Sequence, residues 1–70
     1  MKEVKLGDKV YLDKGSIFYN KLGVGVFNPI NTLGKVVELK PKQKYKVKVT
    51  WSNGKSNYYN SIDLLIEEEL

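Results

Sequence analysis

Lys44, Lys46 and Lys48 recur at two-residue spacing in KYKVKVTWSNGKSNYY, residues 44–59, and their type and spacing suggest a chemistry directly. Side chains on an extended strand alternate between faces, so the row would point three ammonium groups to one side, roughly 6 to 7 Å apart. Such a row can neutralise phosphates along a nucleic-acid backbone. Lys35, Lys40, Lys42 and Lys55 are near enough in sequence to widen the patch, and Tyr58 or Tyr11 would offer a ring on which a base stacks. The same pattern also describes a solvated strand face, whose like charges discourage edge-to-edge pairing.

Other chemistries find little to work with. The chain has no His and no Cys, so the usual zinc ligands, thiol nucleophiles and imidazole bases are all missing. No pair of carboxylates falls on one expected inward face, and Gly23-x-Gly25 lacks the third glycine and the strand-to-helix setting of a dinucleotide site. No catalytic residue, metal or cofactor is expected. All 12 basic residues are Lys, against 8 acids, for a net charge of +4. Glu67, Glu68 and Glu69 gather three of those acids in residues 67–70, which reads as a solvated acidic tail. Residues 1–66 then carry 12 Lys against 5 acids, a balance of +7 that suits an anionic partner. Arg is the residue of bidentate guanine contacts, and its absence argues against sequence-specific base reading. Residues 1–5 have no apolar stretch behind them, and no apolar run is long enough to span a bilayer. The expectation is one domain, residues 1–66, acting as a monomer in the cytoplasm and away from membranes.

The elements that must position the lysines begin with a hairpin. Tyr45, Val47, Val49 and Trp51 alternate with Lys44, Lys46, Lys48 and Thr50, and Asn53-Gly54 supplies the positive-φ residues of a tight turn. Two registers are open. A two-residue loop sets Val49 opposite Tyr58 and brings that ring into the core. A type I turn with a Gly bulge sets Val49 opposite Asn57 and Val47 opposite Tyr59, turning Tyr58 outward. Upstream, Lys9–Leu12 reads as a first strand with Val10 and Leu12 on one face, a set that Val4 and Leu6 continue. Gly34–Leu39 reads as the second strand, with Val37 and Leu39 on one face and Val36 and Glu38 on the other. Residues 16–33 form a long irregular connection whose apolar residues, Ile17, Phe18, Leu22, Val24, Val26, Phe27, Ile30 and Leu33, cannot all be left in water. Some are expected to fold back over an open end of a barrel. Asn60–Asp63 reads as a single 3₁₀ turn, and Leu64–Ile66 as a short closing strand. No apolar series at helical spacing survives for a helix of ordinary length.

A first strand, a long loop, three meandering strands, a one-turn 3₁₀ helix and a last short strand make an all-β chain with the layout of a five-stranded SH3-like small barrel. Gly34-x-Val36, Val47-x-Val49-x-Trp51-x-Asn53-Gly54-x-x-Asn57-x-Tyr59 and Asp63-Leu64 resemble the mind-bomb type of SH3-like domain in eukaryotic ubiquitin ligases. Together with Gly7-Asp8-Lys9-Val10, Ser16-Ile17-Phe18-Tyr19 and Asn28-Pro29, they also resemble a set of short, mostly uncharacterised phage and prophage proteins. The resemblance covers nearly the whole chain and implies a fold and a phage-encoded origin rather than an activity. The chain lacks the Asp-Trp and glycine-rich opening of the mind-bomb type, so peptide recognition of that kind is not carried across. The recurring Asn-x-Tyr of the pattern favours the bulged hairpin register.

Two functions follow as expectations. The first is a non-enzymatic binding module that holds nucleic acid with little sequence preference through Lys35, Lys42, Lys44, Lys46, Lys48, Lys55 and Tyr58. The alternative is a protein-interaction or host-takeover factor that docks through the residue 17–27 loop and nearby aromatics: Ile17, Phe18, Tyr19, Phe27, Trp51 and Tyr59. An aromatic cage for a methylated amine would have to come from Phe18, Tyr19, Trp51 and Tyr59. Trp51 reads first as a core anchor, Asp63 as a cap or loop tether, and Asn57 as a bridge between strands.

Overall fold

Asn53-Gly54 closes the hairpin in the bulged register. In the computed structural model, which describes residues 3–20 and 28–67, the Gly54 N–H donates to the Trp51 carbonyl at 2.9 Å and the Trp51 N–H to the Lys55 carbonyl at 2.7 Å. Gly54 takes a φ of +86°, which a residue with a Cβ rarely adopts. The Asn53 side chain accepts from the Lys55 N–H at 2.9 Å and stiffens the turn. Val47 therefore lies opposite Tyr59, Lys48 opposite Tyr58, and Val49 opposite Asn57. Tyr59 is the ring that enters the core, and Tyr58 turns out beside Lys48.

Five strands, β1 Lys9–Leu12, β2 Gly34–Leu39, β3 Val47–Trp51, β4 Ser56–Tyr59 and β5 Leu64–Ile66, form one antiparallel sheet in the order β4-β3-β2-β1-β5. A single helical turn, α1 Ile17–Asn20, follows β1, and a 3₁₀ turn, Ser61–Asp63, precedes β5. Among the described residues no ladder joins β4 to β5, so the sheet is open and its closure into a barrel is not seen in the pairing. Also among them, no helix is long and apolar enough to cross a membrane.

One face of the sheet carries the core: Val10, Leu12, Val36, Val47, Val49, Trp51, Tyr59, Leu64 and Ile66, joined by Val4 and Phe18. Gly34 belongs to this face because it sits beneath Trp51. A Cβ there would come within 2.6 Å of Trp51 Cε3 and of Val49 Cγ1. The missing side chain is what lets the indole lie on the strand.

The expected alternation fails in three places. On β2 a register shift between Val36 and Glu38 leaves Val37 as the extra residue of a bulge: Val36, opposite Val49, is buried, Val37 is exposed, and Leu39 comes opposite the buried Val47 at the strand end yet stays exposed. On the third strand the ladder starts at Val47 rather than Lys44. The β2–β3 loop closes with the Lys40 N–H on the Lys46 carbonyl at 2.7 Å, which leaves Lys44 and Tyr45 in bends. At the N-terminal end Val4 is buried, but Leu6 is 64 % exposed, because the chain turns at Gly7, whose φ is +90°.

The connection after β1 is folded rather than loose where it is described. Asp63 organises its start from 47 positions away: the Ser16 hydroxyl donates to Asp63 Oδ1 at 2.9 Å and accepts the Phe18 N–H at 3.1 Å. The other oxygen, Oδ2, accepts the Asn60 N–H at 3.0 Å, and the Asp63 carbonyl accepts the Asp13 N–H at 2.8 Å. One buried carboxylate thus caps the 3₁₀ turn and seeds α1, which swings Phe18 onto the core. Ile30 packs partly against the core from the far end of the connection. Leu22, Val24, Val26 and Phe27 lie outside the described residues.

Candidate functional site

The register of the sheet assembles its outward face. Lys9 on β1 is opposite Lys35 on β2, Lys35 is opposite Thr50 on β3, and Thr50 is opposite Ser56 on β4. These four residues make one row across the strands, and the Thr50 and Ser56 hydroxyls are hydrogen-bonded at 2.9 Å. Two residues further along β3 and β4, and three along β2 because of the bulge at Val37, Glu38, Lys48 and Tyr58 make a second row, roughly 6 to 7 Å away. The Lys48 ammonium lies over the Tyr58 ring, 5.9 Å from its centroid, and is held there by the negative face of the ring. Glu38 spends its carboxylate on Lys40, 3.1 Å away.

Lys9 and Lys35 face each other with like charge across neighbouring strands, a pairing that costs stability. Among the described residues neither has a carboxylate partner. Asp8 and Glu67 line the same pocket as Lys9 and make no ion pair with it, Asp8 Oδ2 accepting the Lys5 N–H at 2.8 Å instead. The lysine pair concentrates positive charge on the outward face without an ion pair to hold it, with hydroxyls and a ring beside it.

The expected lysine set is divided by the fold. Lys35, Lys48 and Tyr58 share the outward face, and Lys55 follows the β3–β4 turn next to Ser56. Lys42 and Lys44 sit in the β2–β3 loop, where the Lys44 ammonium is 5.5 Å from the centroid of the Tyr45 ring. Lys46 precedes β3 and has its backbone engaged, its N–H donating to Asn60 Oδ1 at 3.1 Å. Lys44, Lys46 and Lys48 do not form a continuous strand row. Lys9 joins the face instead. Its signal was the alternation in Lys9–Leu12, which sets Lys9 and Tyr11 on one side, but β1–β2 pairing was needed to bring it to Lys35.

The aromatic set divides too. Phe18, Trp51 and Tyr59 are buried against one another edge-to-face, with Phe18 and Tyr59 centroids 5.1 Å apart and Trp51 and Tyr59 5.7 Å apart. They open no cage and offer no docking surface. Their polar edges are satisfied internally: the Trp51 indole N–H donates to the Tyr59 hydroxyl at 3.2 Å, which donates to Asn28 Oδ1 at 2.7 Å. Asn57 Nδ2 donates to the same oxygen at 2.9 Å, so Asn57 ties β4 to the end of the long connection. Burial pushes the Tyr59 hydroxyl pKa above the ordinary 10.0, against the smaller lowering by its hydrogen bonds. Ile17 remains 45 % exposed and Tyr19 half-buried, and Phe27 lies outside the described residues.

Beside the lysine face runs a groove of about 540 Å³, lined by Tyr11, Asp13, Lys14, Tyr19, Asn31 and Leu65. Tyr11 is its junction with the face, two residues along β1 from Lys9 and opposite Leu65 on β5. Among the described residues no group of three or more carboxylates could hold a metal ion. In comparisons with known proteins, no family model, no curated protein and no solved structure matches this chain.

Proposed function

We propose that the chain is a non-catalytic binding module of the SH3-like small-barrel kind, phage-encoded and acting as a monomer in the cytoplasm, that takes the phosphate backbone of a nucleic acid on its outward sheet face. Lys9, Lys35 and Lys48 neutralise phosphates, and Lys55 extends the face past the turn. Thr50 and Ser56 offer hydroxyls to the same oxygens, as such side chains do in backbone contacts. In support of the fold reading stand the order of the elements and the return of β5 to pair with β1 beyond a three-strand meander.

The observation that carries the binding reading is the pairing of Lys9 with Lys35. Two lysines paired across neighbouring strands, neither in an ion pair, cost the free protein stability, and a polyanion relieves that cost on binding. With no Arg in the chain and only a four-residue helix among the described residues, neither bidentate base reading nor a recognition helix is at hand. Binding is then through the backbone and sensitive to salt.

Titration of a short mixed-sequence DNA at about 50 and 200 mM salt tests this. Three phosphate contacts predict a loss of roughly 20-fold in affinity to a single strand over that range. The second reading, a protein-interaction factor, draws on the exposed Ile17 beside the Tyr19 groove. It predicts binding of a protein partner that depends far less on salt.

A further inference from the structure

We infer that the nucleic acid is single-stranded and that one unpaired base enters the groove between β1, α1 and β5. This rests on the reading of the lysine face as a phosphate-binding surface and adds which form of the polymer it selects.

Three features of the groove point to this occupant. Its volume of about 540 Å³ falls within the ordinary range of small-ligand sites, roughly 300–1,000 Å³. Its lining combines two aromatic residues, Tyr11 and Tyr19, with the apolar Leu12 and Leu65, with Asn31, and with Asp13, whose Oδ1 accepts the Gly15 N–H at 2.8 Å. That combination suits a planar heterocycle with hydrogen-bonding edges: the rings and Leu65 cover its faces, and the polar groups meet its rim.

The groove is also continuous with the positive face. Tyr11 lines it and lies on the Lys9 side of β1, so a phosphate held between Lys9 and Lys35 has its sugar and base within reach of Tyr11. A backbone running over Lys48, Lys35 and Lys9 and ending with a base beside Tyr11 crosses the sheet from β3 to β1. That path is about 10 Å wide at the spacing of neighbouring strands and accommodates on the order of two to three nucleotides.

A duplex cannot use the groove. Its bases are stacked and paired, and extracting one costs a few kcal/mol, so a duplex would meet only the lysines. The groove therefore distinguishes the two forms, although the lysines alone do not.

The test uses the full chain with a fluorescein-labelled 12-nucleotide oligo(dT) and a labelled 12-base-pair mixed duplex, read by anisotropy at about 50 mM salt. The wild type should bind the single strand at least about tenfold more tightly. Tyr11→Leu, which keeps an apolar side chain in place, should weaken single-strand binding by about tenfold, within the range for loss of one stacked base, and leave duplex binding within about twofold. Tyr11→Phe keeps the ring and should retain the preference. If Tyr11→Leu proves unfolded by ¹⁵N-NMR, Tyr19→Leu takes its place with the same expectation. Equal binding of the two forms, or equal weakening of both by the groove variants, overturns the base-in-groove inference while leaving the lysine face standing. Absence of binding to either probe overturns both.

Discussion

Gly34 lies directly beneath the indole of Trp51, close enough that a methyl group on Gly34 would meet the ring at 2.6 Å. The contact joins β2 to β3 where Trp51, 1 % exposed, fills the middle of the core. Because the obstacle includes a buried ring that packs edge-to-face with Tyr59 and donates to its hydroxyl, relief requires strand movement. Gly34→Ala should destabilise the fold by about 1–3 kcal/mol, lowering the thermal midpoint by several degrees per kcal/mol in a domain of this size. Thermal unfolding followed by circular dichroism checks it, and an unchanged midpoint would mean that the indole has room to move.

Tyr59 predicts an alkaline limit to stability. Its folded-state pKa is raised by burial, so the neutral hydroxyl is the form the native state favours. The associated stability is fully present below the unfolded pKa of about 10 and is lost as pH rises through the higher folded value. Unfolding free energy measured in urea between pH 8 and 11 should fall above about pH 10. Tyr59→Phe should flatten that fall while costing about 1–3 kcal/mol at neutral pH, since Asn28 Oδ1 and the Trp51 N–H each lose a partner.

Asp63 should be worth more to the fold than its place in a three-residue turn implies. Asp63→Ala strands the Ser16 hydroxyl and the Asn60 N–H together, with an expected loss of about 2–4 kcal/mol. Ser16→Ala removes one of those bonds and the support of the Phe18 N–H, and should cost less. Urea midpoints of the two variants give the order, and the reverse order would mean that α1 is held by other contacts.

Lys9 and Lys35 make a prediction in which stability and binding move in opposite directions. Lys9→Glu converts a like-charge cross-strand pair into an attractive one, which should stabilise the free protein by about 0.2–1 kcal/mol. The same change removes one phosphate contact and adds a repulsive charge, so DNA binding should drop by tenfold or more. A variant that gains stability and keeps its affinity would locate the anion elsewhere.

Much of this architecture was legible locally. β1, β2, the Asn53-Gly54 turn and the 3₁₀ turn each follow from alternation or turn chemistry within a few residues, whereas the turn chemistry left two hairpin registers open, and the bulged one is the register of the ladder. The differences arise where distant contacts decide. Val37 is displaced by a bulge that local alternation does not announce, and α1 owes its position to a Ser16–Asp63 bond spanning 47 positions. The lysine row was half legible for the same reason. Lys48 and Tyr58 come together through a neighbouring hairpin, whereas the Lys9–Lys35 pair needs β1 to find β2 across the long connection, and Lys44 left the row when the β2–β3 loop closed at Lys40 and Lys46.

The most direct test of the lysine face is a ¹⁵N-NMR titration of the labelled protein with a short mixed-sequence DNA, single- and double-stranded, at about 50 and 200 mM salt. The expected result is a set of amide shifts clustered on Lys9, Lys35, Lys48 and Tyr58, weaker at Lys42 and Lys44, that fades at the higher salt. Amides that stay still at 50 mM, or shifts confined to Ile17 and Tyr19 that persist at 200 mM, would contradict it.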